Sequence, residues 1–127
     1  MTVGSLLCSS SIGLCYTGTL TGDIQGDIEA ALQGALPSLW PPGVVFYGGN
    51  AVISTSTGDL FCGLSGPTNE SPFSVDGEWM TLCVITGGTG RWANTSGYLQ
   101  FFGVTTETSL LILTTAKGDY RGKIITP

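Results

Sequence analysis

The chain has 127 residues, of which four are basic, nine are acidic and none is histidine, so its formal net charge at pH 7 is −5. So few basic side chains cannot neutralise a run of phosphates, which excludes the usual nucleic-acid-binding proteins. Without histidine the chain lacks the commonest general base and the commonest metal ligand, so we expect no hydrolase, no metal site and no cofactor. No apolar run approaches the roughly 20 residues of a membrane-spanning helix.

The length predicts a single domain, with residues 1–14 as an N-terminal arm and residues 15–127 as the folded unit. At the start of that unit, from Cys15 to Ala30, apolar or glycine residues alternate with polar ones. This period of two predicts one long curved strand. Ile28–Leu36 has an alternative interpretation as a short helical turn, because Glu29, Ala30, Ala31, Leu32 and Gln33 favour helix.

Short β-rich segments separated by glycine and proline follow along the rest of the chain. We expect turns at Gly48–Asn50, Ser65–Pro72, Gly87–Gly90 and Lys117–Asp119. The strands expected between them are Gly43–Tyr47, Ala51–Thr57, Asp59–Leu64, Val75–Thr86, Thr95–Thr106, Leu110–Thr115 and Tyr120–Ile125. About eight antiparallel strands with short links predict an all-β domain, a single closed antiparallel barrel of the calycin-like kind.

The segment Ile85–Leu99, with Gly87, Gly88 and Gly90 before Trp92 and Gly97 after it, carries a family resemblance. It is similar to the glycine-rich segment of the allene oxide cyclase-like and dirigent-like β-barrel superfamily. The opening Tyr16–Asp23 and the closing Tyr120–Ile124 also resemble small bacterial members of that group. From the residues themselves, we expect the three loop glycines to adopt positive φ and Trp92 to plug one end of the barrel.

The resemblance implies an eight-stranded barrel around an apolar cavity and a homodimer or homotrimer. Its relatives include cyclases of reactive lipids, barrels that steer radical coupling and barrels that catalyse cycloadditions. A small hydrophobic molecule is therefore the expected partner. A cofactor-free cyclase or isomerase is the leading functional hypothesis, and the alternatives are a non-catalytic, lipocalin-like binding protein and a secreted structural or interaction barrel.

Tyrosines are the strongest candidates for chemistry, because a buried phenol can donate a hydrogen bond to a carbonyl or an oxyanion. Tyr47 and Tyr98 are expected as catalytic donors, with Glu29 at the barrel mouth as a third candidate. Asp23, Asp27 and Glu29 otherwise form a solvated polar face. Ligand contacts are expected from the residues Tyr16, Leu20, Ile24, Phe46, Trp79, Arg91, Phe101 and Tyr120.

Four cysteines in no metal-binding spacing leave two pairings open, Cys8 with Cys15 and Cys62 with Cys83, as either disulfides or free thiols. An even number of cysteines, together with few charged residues, favours an extracellular or periplasmic location. A cytoplasmic location with free thiols is the alternative.

Overall fold

The computed structural model describes residues 2–7, 14–37, 45–68, 78–108 and 114–126, with their side chains at 15–34, 46–67, 78–104 and 117–126. Strands account for nearly all of these residues, and a single 3-10 turn, Gly90–Trp92, is the only helical element within them. The strands are β1 (Thr2–Leu7), β2 (Leu14–Leu20), β3 (Gly26–Pro37), β4 (Val45–Thr55), β5 (Gly58–Thr68), β6 (Glu78–Gly88), β7 (Ser96–Thr108) and β8 (Thr114–Ile125). The predicted all-β, antiparallel class is confirmed.

Strands β2 to β8 form one curled antiparallel sheet, each strand pairing with the next along the chain. The longest ladder, between β7 and β8, has twelve residue pairs. β1 lies between the two edges of this sheet and pairs with β2 over six residues but with β8 over only three. The order of pairings is therefore circular, with β1 and β8 meeting along a short seam.

Alternation along each strand decides which side chains enter the interior, because successive residues of a strand face opposite sides of the sheet. The interior is one apolar cluster to which β2 through β7 all contribute. Its most completely buried members are Leu20, Ile53, Leu60, Cys83 and Phe101. Cys62 and Cys83 form a disulfide inside this cluster, which is one of the two pairings that the sequence leaves open. Cys15 is also disulfide-bonded, whereas Cys8 lies outside the described residues.

Trp92 fills one end of the barrel-like sheet, which we call the Trp92 end, as the sequence predicted. The 3-10 turn directs the indole inward, where it is 7 % exposed, and its Nε1 donates to Oγ1 of Thr55 at 3.0 Å. Main-chain bonds from Thr89 to Asp59 and from Arg91 to Thr57 tie this loop to the β4–β5 turn. Gly90 has positive φ as predicted, but Gly87 and Gly88 do not, because both still belong to β6.

Several predicted breaks are wrong. The alternation from Cys15 to Ala30 is interrupted at residues 21–25, where the chain turns from β2 into β3. Gly48–Asn50 and Lys117–Asp119, predicted as turns, lie inside β4 and β8, and β5 continues to Thr68. The helical alternative for Ile28–Leu36 is also wrong, since this segment lies entirely within β3. Of the strand predicted at Leu110–Thr115, only Thr114 and Thr115 lie within the described residues, as the start of β8.

Candidate functional site

Three aromatic side chains with polar tips lie on the inner face at the end opposite Trp92, which we call the Trp79 end. They are Tyr16 on β2, Tyr47 on β4 and Trp79 on β6, all half-buried. Tyr16 and Trp79 pack directly against the apolar cluster. Tyr16 is in register with Ala30, and Ala30 with Ala51, so the side chains next to this phenol on the β3–β4 side of the inner wall are methyl groups.

The two phenols at the Trp79 end are held in their neutral form. Burial raises the pKa of Tyr16 to about 12, and the nearby hydroxyl of Tyr47 adds to the effect because two phenolates would repel each other. Burial also raises the pKa of Tyr47. At neutral pH both side chains are therefore hydrogen-bond donors and not bases.

The indole N–H of Trp79 is buried and has no hydrogen-bond partner among the residues that the structure describes. The ring lies across the inner wall in register with Gly103 on β7, which pairs in turn with Gly118 on β8. A Cβ added at Gly118 would come within 3.0 Å of the edge of the indole, so the glycine makes room for the ring. A buried donor without a partner costs about 1–3 kcal/mol, which a ligand with a suitable acceptor would recover.

Three donors on an apolar wall, without an ionised side chain beside them, define the chemistry of this site. Every charged side chain among the described residues is exposed except Asp59, which is half-buried at the opposite, Trp92 end. The described residues also contain no cluster of three or more potential metal ligands. The arrangement can hold and polarise a neutral acceptor such as a carbonyl, but it offers no general base.

Four of the predicted site residues lie away from the inner face. Tyr98 is 46 % exposed on the outer face of β7, and Phe46 is 45 % exposed on the outer face of β4. Glu29 points outward from β3, and Arg91 lies in the Trp92 loop with its guanidinium 4.8 Å from the Trp92 ring centroid. Tyr98 and Glu29, both predicted as catalytic candidates, therefore sit at outward positions of their strands, and Glu29 lies on the solvated polar face that was its alternative.

The remaining predicted contacts belong to the packed interior. Leu20, Ile24 and Phe101 are at most 4 % exposed and fill the core. Tyr120 is in contact with this core, but its hydroxyl is already used by the β2–β3 turn. Its single proton is shared between the carbonyl oxygens of Thr21 at 2.7 Å and Ile24 at 3.1 Å, and its oxygen accepts from the amide of Ile24 at 2.9 Å. Tyr120 is thus a structural residue with no spare donor for a ligand.

The outer surface has two grooves that the sequence does not predict. One, of about 630 Å³, is lined mainly by apolar residues of β4–β7, among them Phe46, Trp79, Met80 and Val104, together with the acidic Glu78. The other, of about 470 Å³, crosses β2–β4 beside Glu29, between small side chains such as Ala31 and Val52. The signal for the first groove was present in the sequence, because β6 and β7 carry apolar residues at outward as well as inward positions.

No protein-family model, no curated protein and no solved structure matches this chain. The part of the chain that the structure describes has no helix long and apolar enough to cross a membrane.

Proposed function

We propose that this protein binds one small apolar molecule carrying a hydrogen-bond acceptor, at the inner face formed by Tyr16, Tyr47 and Trp79. The observation that carries the proposal is the buried, unpartnered indole N–H of Trp79. Buried polar groups in native proteins almost always have a partner, and an orphan in a folded protein calls for one. A ligand carbonyl, ether or carboxyl oxygen supplies that partner.

The two neutral phenols support the same proposal. Because burial keeps Tyr16 and Tyr47 protonated, both can donate to the acceptor that Trp79 also faces. The surrounding wall is apolar, as a pocket for a hydrophobic molecule requires. The proposal includes closure of the eight strands into a complete barrel along the β1–β8 seam, which would separate such a molecule from water.

Catalysis by a cofactor-free cyclase or isomerase is the second candidate function. The observation that favours it is the pair of neutral phenols at one site, because two donors aimed at one carbonyl or epoxide oxygen stabilise the charge that develops there. The enclosing wall would fold a flexible substrate into a reactive conformer. This is the chemistry that the resemblance to allene oxide cyclase-like barrels implies.

Binding of a neutral naphthyl ketone, 6-propionyl-2-(dimethylamino)naphthalene, tests the first proposal, because its emission reports both polarity and hydrogen bonding to its carbonyl. We expect saturable binding with a blue-shifted emission. Tyr16→Phe, Tyr47→Phe and Trp79→Phe should each weaken binding by about 5- to 10-fold, the value of one hydrogen bond. Tyr98→Phe is the matched control, since its hydroxyl lies on the outer face. Absence of binding, or equal losses with Tyr98→Phe, would overturn the proposal in favour of a solidly packed barrel.

A reactive polyunsaturated fatty-acid epoxide tests the second candidate. If the barrel is a cyclase, chiral chromatography will show one cyclised enantiomer in excess, and Tyr47→Phe will lower kcat by more than it raises KM. Racemic product at the uncatalysed rate, together with intact ketone binding, would leave the protein as a binding barrel without this activity.

We also propose an extracellular or periplasmic location. The Cys62–Cys83 disulfide supports it, because structural disulfides persist in oxidising compartments and are rare in reducing ones. Fractionation of the native host, followed by mass spectrometry of its compartments, tests this location directly.

A further inference from the structure

The basic side chains of this protein all lie away from the inner face. The sequence has four of them and no histidine, and all four belong to the described part of the chain, where each is exposed. They are Arg91, Lys117, Arg121 and Lys123. Arg91 lies over the ring of Trp92 at the opposite end, and Arg121 donates to Gln100 on the outer face of β7 and β8. The chain therefore has no basic side chain placed to neutralise a negative charge on a ligand at the inner face.

The inner face also disfavours a negative charge on its own phenol. Burial is the main reason why the pKa of Tyr16 rises from 10.0 to about 12, so ionisation there is about 100-fold less favourable than in water. The neighbouring side chains on β3 and β4 are the methyl groups of Ala30 and Ala51, which cannot solvate an anion. Neutral donors bond more strongly to a carboxylate than to a ketone, but this offsets only part of the cost of taking the charge out of water.

We propose that the site selects uncharged acceptors: the oxygen that meets Tyr16, Tyr47 and Trp79 belongs to a ketone, ester, lactone, amide or epoxide, and not to a carboxylate or a phosphate. This inference rests on the proposed function, because it names the chemical class of the molecule bound at the same inner face. An acid binds with its carboxyl group at these donors only in the protonated form. A fatty-acid epoxide fits the class through its epoxide oxygen, with its carboxylate left in solvent.

The protein's own titratable groups leave this selection in place near neutral pH. Tyr16 on β2 and Tyr47 on β4 stay neutral, because burial raises the pKa of both phenols. The acidic side chains described on the neighbouring strands β3, β6 and β8 are exposed and point outward. They are Asp27, Glu29, Glu78 and Asp119. A pH dependence of binding between pH 7 and pH 5 therefore comes from the ligand.

Equilibrium dialysis of 2-acetylnaphthalene and 2-naphthoate tests the selection, because the two molecules differ only by a methyl group in place of a charged oxygen. At pH 7 we expect the ketone to bind and the carboxylate to bind at least about 100-fold more weakly, the factor by which burial disfavours the charged form of Tyr16. From pH 7 to pH 5 the affinity for the acid should rise at least about 10-fold, because its carboxyl group has a pKa of about 4. The affinity for the ketone, which does not titrate, should stay constant.

A cation placed on the inner face should remove the preference. Tyr47→Arg adds a guanidinium at a half-buried position of the site and should bring the two affinities at pH 7 to within about 10-fold of each other. Tyr98→Arg is the matched control, because it adds the same charge to the outer face and should leave the selection unchanged. Circular dichroism checks that both variants fold, and the wild-type comparison decides the proposal without them.

The outcomes separate this inference from the proposed function. Binding of both compounds with similar affinity at pH 7 would overturn the selection and leave the proposed function standing. Binding of neither compound at either pH would overturn both. If Tyr98→Arg removed the preference as fully as Tyr47→Arg, net charge alone would explain it, and the assignment of the selection to the inner face would be wrong.

Discussion

Tyr120 joins the last strand to the first turn of the curled sheet through a single hydroxyl. That hydroxyl takes part in three hydrogen bonds with the main chain of Thr21 and Ile24. Tyr120→Phe leaves the amide of Ile24 without its acceptor, so we expect the free energy of unfolding to fall by about 2 kcal/mol. Urea denaturation measures this difference. Tyr98→Phe removes an exposed hydroxyl and should change stability by less than about 0.5 kcal/mol; a similar loss in both variants would contradict the role given to Tyr120.

Tyr16 makes stability depend on pH in the alkaline range. Its pKa in the folded protein, about 12, lies above the ordinary value of 10.0, so the unfolded chain releases this proton first as pH rises. The contribution is complete below pH 10 and is lost between pH 10 and 12. It amounts to roughly 2–3 kcal/mol at about 1.4 kcal/mol per pKa unit.

We therefore expect the stability of the wild type to fall steeply over this range and that of Tyr16→Phe to fall less. Denaturant midpoints measured from pH 9 to pH 12 check the difference. Absorbance at 295 nm should show one tyrosine fewer among the late-titrating groups of the variant. Parallel pH profiles for the two proteins would contradict the burial of this phenol.

Glycines inside strands explain why several strand boundaries predicted from the sequence are wrong. The sequence predicts turns at Gly48, Gly49 and Gly118, yet all three lie inside long strands. Gly118 is needed in β8 because a Cβ there would collide with the main-chain carbonyl of Phe102 and also approach the Trp79 indole, a reason visible only once the strands are assembled. The β2–β3 turn was missed for a different reason. Ile24 remains buried within the turn, so the apolar register continues through it as if one strand ran on.

The Cys62–Cys83 disulfide links β5 to β6 from the inside of the sheet. Cys62 is 2 % exposed and Cys83 is 0 % exposed, so a reductant reaches the sulfurs only when the strands separate. Cys15, also disulfide-bonded, is half-buried. With 10 mM dithiothreitol under native conditions, we expect maleimide labelling of two thiols per chain. All four should react only after denaturant is added. Simultaneous labelling of four thiols in the native protein would contradict the buried position of this bond.

The sequence predicts which aromatic residues are candidates for the site but not which of them face the inside of the sheet. Tyr16, Tyr47 and Trp79 were all named from the sequence as strand aromatics, and the structure brings them to one end. Tyr98 was named on the same grounds and faces outward. Around it, Tyr98, Gln100 and Phe102 alternate with Leu99 and Phe101, and Gln100 is the one polar residue that separates the two sets. Alternation therefore gives only a weak signal for which set faces inward, and the pairing of β7 with β6 and β8 decides it.

The seam between β1 and β8 is the weakest ladder of the molecule as described. It has three residue pairs, against twelve between β7 and β8. We expect the amides of Thr2–Leu7 to exchange with deuterium at least 10-fold faster than those at the centre of β7, because opening this seam breaks few hydrogen bonds. Hydrogen exchange with mass spectrometry measures both segments. Equal protection would show that β1 is held as firmly as the rest.

The hydrogen bonds of Tyr120 can form only late in synthesis, because the two partners are far apart in the chain. The hydroxyl and the Ile24 amide that it accepts from are separated by 96 positions in the chain. A ribosome makes the β2–β3 turn early but releases Tyr120 only with the final strand. Until then the turn lacks its anchor, and β1 lacks one of its two neighbouring strands. The curled sheet therefore completes its pairing only after β8 has been synthesised, and a nascent chain that stops before β8 exposes an unpaired edge of β7 that invites association with other chains.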